Sequence, residues 1–201
     1  MFEFQGESNY DSVLNDLLSL LFRKDDFTFL QGLGASAREG SVQVPFFKKR
    51  CTVKSDGVYL DEARLGPIPS IVVVRYLLGA GDDPIFNLWV PFRDLRDCAQ
   101  MGLYVQSKVE ERIVRFCGGR KEYLTERLTA LGGNLYRTGS NPDLAVALQP
   151  FPRIPLLTLF WDSDGESSGS FQFLLDKSAR SYLDVESLVG LLDYIRFKIE
   201  E

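Results

Sequence analysis

The sequence predicts an α+β fold, a single domain over residues 1–201 with a central antiparallel or mixed sheet and helices packed on one side. Three observations predict it. Apolar residues recur at helical spacing in several segments, while other segments alternate as strands do. The two kinds come in blocks, not in strict strand–helix–strand order. Aromatic residues make up 12% of the chain, a core supply that argues against disorder.

Residues 9–23 read as an amphipathic helix, because Leu14, Leu17, Leu18 and Leu21 fall on one face. Asp25 and Asp26 close it, and the small-residue stretch 32–40 reads as a loop. Residues 41–60 read as a β-meander. Val42, Val44 and Phe46 alternate with Ser41, Gln43 and Pro45, and Ser55-Asp56-Gly57 is a hairpin signal. The run Ile71–Leu78 is apolar throughout, so periodicity does not decide its type. Pro69 near its start and Gly79 after its end favour a helix. A loop follows over 79–84. Its glycines precede Asp82 and Asp83, not a helix carrying Lys and Ser/Thr, so it is no phosphate loop.

Two helices are expected next. One spans 104–117 with a stripe of Val105, Val109, Ile113 and Phe116; the other spans 121–131 with Leu124, Leu128 and Leu131. Gly118-Gly119 separates them and Gly132-Gly133 ends the second. Alternation at Leu144, Val146 and Leu148, an apolar run Leu156–Trp161 and a returning Phe171, Phe173 and Leu175 predict three strands. Asp184 is a natural N-cap for a last helix carrying Val185, Leu188, Val189, Leu192, Ile195 and Ile199.

Composition excludes several functions. The net charge is -5, and the densest basic run is Lys48-Lys49-Arg50, which reads as a solvated turn. Nucleic acid is therefore not an expected partner. Histidine is absent, which removes Ser-His-Asp and Cys-His machinery and histidine metal sites. Any acid or base must be Asp, Glu, Lys, Tyr or Cys with a shifted pKa. Cys51, Cys98 and Cys117 are too scattered for a disulfide framework or an iron–sulfur cluster, and read as buried thiols. Arg115 and Arg120 flank Cys117, so it is the one to weigh as a nucleophile, against core packing. The start Met1–Glu7 lacks a basic region and an apolar region, and no apolar run reaches membrane length. A cytoplasmic protein is expected.

Four pieces resemble a known family when taken in order. They are Pro67-Ile68-Pro69 through Tyr76-Leu77-Leu78-Gly79-Ala80; Trp89-Val90-Pro91-Phe92-Arg93-Asp94-Leu95; Leu131-Gly132-Gly133; and Pro150–Pro155 through Trp161-Asp162-Ser163-Asp164 to Leu174-Leu175-Asp176 and Tyr182-Leu183. Together, over roughly residues 40–199, they resemble the bacterial and archaeal family catalogued as domain of unknown function 3786. The resemblance implies an anaerobic setting. Some relatives carry an attached iron–sulfur module, for which this chain has no cysteine cluster. Relatives usually follow the Trp strand with an acidic-aromatic-Pro turn. Here Asp162–Ser170 keeps the acids and lacks the Phe-Pro element.

Candidate chemistry follows from these segments. Trp89 and Phe92 would line a small-molecule pocket, with Arg93 pairing an anion; an aromatic core anchor and a structural Arg–Asp pair is the plainer reading. Arg153 and Trp161 join Trp89 and Arg93 as candidate ligand-binding residues. Asp162, Asp164 and Glu166 would supply oxygen ligands to Mg2+ or Ca2+, and a solvated hairpin turn is the plainer reading there. Glu110 and Glu111 are adjacent on a helix and so would point apart, which argues against a carboxylate pair. The expectation is a non-enzymatic small-ligand-binding or accessory domain of anaerobic metabolism. The alternatives are a histidine-free carboxylate/Mg-dependent enzyme and a protein-interaction module, with exposed apolar surface on the N-terminal helix as a homodimer face.

Overall fold

The computed structural model describes residues 7–79, 81–163 and 168–201. The α+β class and the antiparallel pairing are as the sequence predicts, and the strands form two five-stranded sheets. The first is a meander of β1 (Ser36–Arg38), β2 (Ser41–Phe46), β3 (Lys49–Lys54), β4 (Gly57–Leu60) and β5 (Ala63–Arg64), paired in that order. Its turns need left-handed backbone. Phe47 and Lys48 join β2 to β3 at φ 50° and 63°, and Asp61 and Glu62 join β4 to β5 at φ 47° and 74°. Such pairs give the hairpin its right-handed twist, a role usually given to Asn or Gly. The run Lys48-Lys49-Arg50 is thus the turn and the start of β3.

The second sheet takes β6 (Trp89–Pro91), β7 (Asn134–Leu135), β8 (Leu144–Phe151), β9 (Ile154–Trp161) and β10 (Ser170–Asp176) in the order β6-β10-β9-β8-β7. Register pairs Leu157 with Leu174 and Trp161 with Ser170. One face therefore carries Val146, Leu148, Leu156, Phe160, Phe171, Phe173 and Leu175, all buried. These residues belong to one continuous apolar cluster that also takes in the first sheet and the helices.

The helices are α1 (Glu7–Phe22), α2 (Pro67–Leu78), α3 (Ala99–Tyr104), α4 (Glu111–Cys117), α5 (Lys121–Ala130) and α6 (Val185–Glu200). The Pro and Gly punctuation outweighs β-branched propensity in α2, where Val72, Val73, Val74 and Leu77 are buried. Tyr76 of α2 stacks on Phe151 at 4.2 Å and donates from Oη to Leu33 O at 2.8 Å, so its buried hydroxyl is paired. Leu14, Leu17, Leu18 and Leu21 of α1 are buried, leaving Tyr10 and Leu20 exposed on that helix. Asp184 caps α6 by accepting from Ser187 N at 2.7 Å. No described helix is long and apolar enough to cross a membrane.

Between α3 and α4 the chain makes a π-helical stretch, Val105–Glu110. Val105, Val109, Ile113 and Cys117 are all buried, at a strict spacing of four. In an α-helix of 3.6 residues per turn that spacing drifts off its face. The wider i→i+5 turn absorbs the drift and keeps the stripe inward. Cys117, not Phe116, is the fourth stripe residue; Phe116 is half-buried under the Arg120 guanidinium at 4.5 Å.

Candidate functional site

A cavity of about 580 Å3 opens where the π stretch and α4 face the ends of β9 and β10. Its walls come from four places. Pro91, Phe92 and Arg93 enter from the end of β6 and the 3-10 turn after it. Gly102, Val105, Gln106 and Glu110 come from α3 and the π stretch. Glu111, Val114 and Arg115 come from α4. Trp161 and Ser168–Gln172 come from the lips of β9 and β10. The size suits a small molecule.

The local sequence explains this convergence. Pro91 has no N–H and ends β6 after three paired residues. The chain then turns through Phe92–Asp94, leaving β10 uncovered beyond Leu174. Glu110, at the end of the π stretch, reaches the gap, and its Oε1 accepts from Phe173 N at 2.8 Å. Burial pushes the Glu110 carboxyl up to about 7, while the Phe173 N–H and Arg93 pull it down and Glu111 pushes it up. Gly102 lets α3 approach the turn closely, since a Cβ there would lie 2.8 Å from Arg93 Cβ.

The charges leave room for a ligand. Arg93 meets Asp94, and Arg115 meets Glu111, each at 3.8 Å, with both arginine side chains about two-thirds exposed (66% and 65%). Pairs of that length and exposure contribute little. With Glu110 neutral, the described wall carries Arg93, Arg115 and Glu111, a net charge of +1. With Glu110 ionised, the net falls to zero. Glu110 and Glu111 do both line the cavity, but Glu110 turns to β10 and Glu111 to Arg115.

The four sequence candidates are divided among three places. Arg93 and Trp161 share the cavity. Trp89 packs with Trp161, Leu174 and Ala147 on a small cluster of Ala145, Leu157 and Leu159, on the sheet face opposite the main core. There its ring meets Tyr136 edge-on at 6.4 Å. Arg153 sits at the far end of β9, where its Nε donates to Gly32 O at 2.6 Å and its N–H to Tyr76 Oη at 3.2 Å. In the sequence Glu110 stands out only as half of a carboxylate pair with Glu111, which helix geometry argues against; nothing there marks it as a lone acid in a cavity wall, and the four-residue spacing of the buried stripe is the one hint of the wider turn that carries it.

Of the acidic turn, Asp164 and Glu166 lie outside the described residues. Asp162 accepts from Gly119 N with both carboxylate oxygens, at 2.9 and 3.1 Å, and from Ser163 N at 2.8 Å. It thereby ties the Gly118-Gly119 break between α4 and α5 to the end of β9. The three cysteines are buried. Desolvation raises Cys51 to about 12 and Cys117 to about 11, with Arg120 only partly offsetting the latter, and Cys98 is raised as well. These are packing thiols.

A larger groove of about 700 Å3 lies between the first sheet and α5 and α6, walled by Phe47, Leu60, Ile68, Tyr194 and Phe197. Several of its cations are already engaged: Arg127 with Lys198 O, Arg196 with Asp193 and Glu200, Lys198 with Glu201. The smaller cavity, with loosely held arginines around a half-buried carboxyl, is the better candidate.

Fold and cavity together define an α+β protein with a mixed polar and aromatic pocket at the lip of an antiparallel sheet. A family model described as a domain of unknown function (DUF3786) matches residues 28–197, and the chain belongs to that family. No curated protein and no solved structure matches the chain.

Proposed function

We propose that this protein binds a small anion with a planar apolar part in the cavity between the π stretch and the β9–β10 lip. Arg93 and Arg115 take the anionic end, as guanidinium groups suit planar oxyanions. Phe171, on the face of β10 that looks toward the π stretch, takes the planar part, with Trp161 at the lip of the cavity. The observation that carries the reading is the convergence of Arg93, Arg115 and Trp161 on one cavity whose described wall is net positive while Glu110 is neutral. An accessory, non-catalytic role in anaerobic metabolism belongs to the same proposal, supported by the lack of histidine and by the family resemblance.

Benzoate, a planar ring bearing a carboxylate, is a direct probe. Titration at pH 6 followed by the indole N–H resonance of Trp161 is expected to show saturable binding at millimolar concentration, lost in Arg93→Ala. No saturable shift in the wild type would refute the reading. Native mass spectrometry of protein purified without oxygen would then name the class of any retained ligand.

A further inference from the structure

We infer that Glu110 serves this cavity as a protonated hydrogen-bond donor, so that the anion binds together with a proton and affinity rises as pH falls. The inference rests on the anion-binding reading above and adds the condition under which the site works.

The geometry carries it. Phe173 N holds Glu110 Oε1 at 2.8 Å, which fixes the carboxyl in the cavity wall. Oε2 has no hydrogen bond to a described residue. The neutral acid can thus donate from Oε2 to a ligand oxyanion while Oε1 keeps its bond to the backbone. Oxygen-to-oxyanion bonds of this kind are short and strong. An ionised Glu110 would instead set a carboxylate against the anion and cancel half the positive charge of the two arginines.

The groups around Glu110 agree. Among the described residues, the 3-10 turn brings Arg93, and α4 brings Glu111 and Arg115. β10 offers the Phe173 N–H and Gln172, neither charged. On α6, which packs against the π stretch, Glu200 is held by Arg112 and Arg196, and Asp193 by Arg196. Burial, the first cause of the raised carboxyl, brings its titration to about 7, where a modest pH change switches the site.

Benzoate is ionised across the neutral range, and arginine does not titrate there. If only the protonated site binds, the dissociation constant rises roughly thirtyfold between pH 6.0 and 8.5, one proton per ligand around a pKa of about 7. Glu110→Gln retains an acceptor for Phe173 N and gains an N–H donor, so it should bind benzoate with a flat pH profile. Calorimetry in two buffers of different ionisation enthalpy needs no variant. At pH 7.5 the wild type should take up about three-quarters of a proton per benzoate. Saturable binding with a flat wild-type profile, or no proton uptake, would overturn the proton linkage and leave the anion site standing. A pH dependence that persists in Glu110→Gln would assign it to another group. No binding at pH 6.0 by wild type or variant would overturn both readings.

Discussion

Asp176 offers a sharp test of how the β6 region is held. The residue ends β10 and is fully buried, at 0% exposure. Its carboxylate accepts from Phe86 N and Leu88 N, both at 3.1 Å, and from Ser178 N at 3.0 Å and Ser178 Oγ at 2.6 Å. Burial alone would raise its pKa, but the bonds from Ser178, Phe86 and Leu88 outweigh it and hold the carboxyl below its ordinary range. Asp176→Asn keeps the shape and one acceptor. The amide nitrogen that replaces Oδ2, however, faces the Leu88 N–H, donor against donor. The loss is one charge-assisted bond plus a buried unpaired N–H, offset by the easier burial of a neutral amide, for a net of about 3 kcal/mol. In a chain of 201 residues that lowers Tm by roughly 6–12 °C. Urea unfolding at pH 7, read by tryptophan fluorescence, measures it, and exchange of the Leu88 amide should quicken in parallel. The folded pKa is depressed, so the carboxylate's contribution is present above the unfolded value near 3.8 and is lost as pH falls through the folded one. The wild type should therefore lose stability in acid along a limb that the Asn variant lacks. A loss under 1 kcal/mol at pH 7, with the acid limb unchanged, would refute the argument.

Other consequences can be measured with the same methods. The Glu110 carboxyl is raised on folding, so its contribution is present below the unfolded value of 4.5, declines as pH rises and is gone above about 7. Glu110→Gln should match the wild type in urea at pH 4.5 and exceed it at pH 8.5 by on the order of 2 kcal/mol, discounted for partial exposure. Glu62→Gly, at φ 74° in an exposed turn, should raise stability by about 1 kcal/mol in the same assay. Gly102→Ala puts a Cβ 2.8 Å from Arg93 Cβ, and should weaken benzoate binding at pH 6 several-fold while the fold, read by circular dichroism, is kept. The three thiols should resist iodoacetamide in the native protein and react on unfolding, as counted by mass spectrometry.

Much of the secondary structure was legible because local rules act over a few residues. The leucine face of α1, the Asp184 cap and the alternation of β8 and β10 are written at spacings of two to four. The division of the strands into two sheets was not, since Phe47 N reaching Pro150 O joins residues a hundred positions apart and no local pattern encodes it. The two-residue strands β5 and β7 are too short to show alternation. The candidate site was half legible. Residue type singled out Arg93 and Trp161, but whether their segments meet is a matter of pairing. Arg153 failed to join them for a simple reason of length: β9 carries it roughly 25 Å from Trp161 at about 3.3 Å per residue. Glu110 shows in the sequence only beside Glu111, as a pair that helix geometry argues against; its bond to Phe173 N spans 63 positions, and no local pattern encodes it.

The arrangement that sets Glu110 in the cavity also bears on how copies of this chain behave toward one another. β10 is rich in Phe and Leu, and β6 shields only Leu174–Asp176 of it. An uncovered strand margin of that kind is a template on which another polypeptide can grow. The first N–H past the shield, that of Phe173, is already taken by a side chain from the π stretch. A carboxyl group thereby acts as a stopper where a sixth strand would otherwise begin. Removing it, as in Glu110→Ala, would leave an unclaimed donor on an apolar ribbon, and the expected symptom is slow, concentration-dependent assembly into β-rich aggregates.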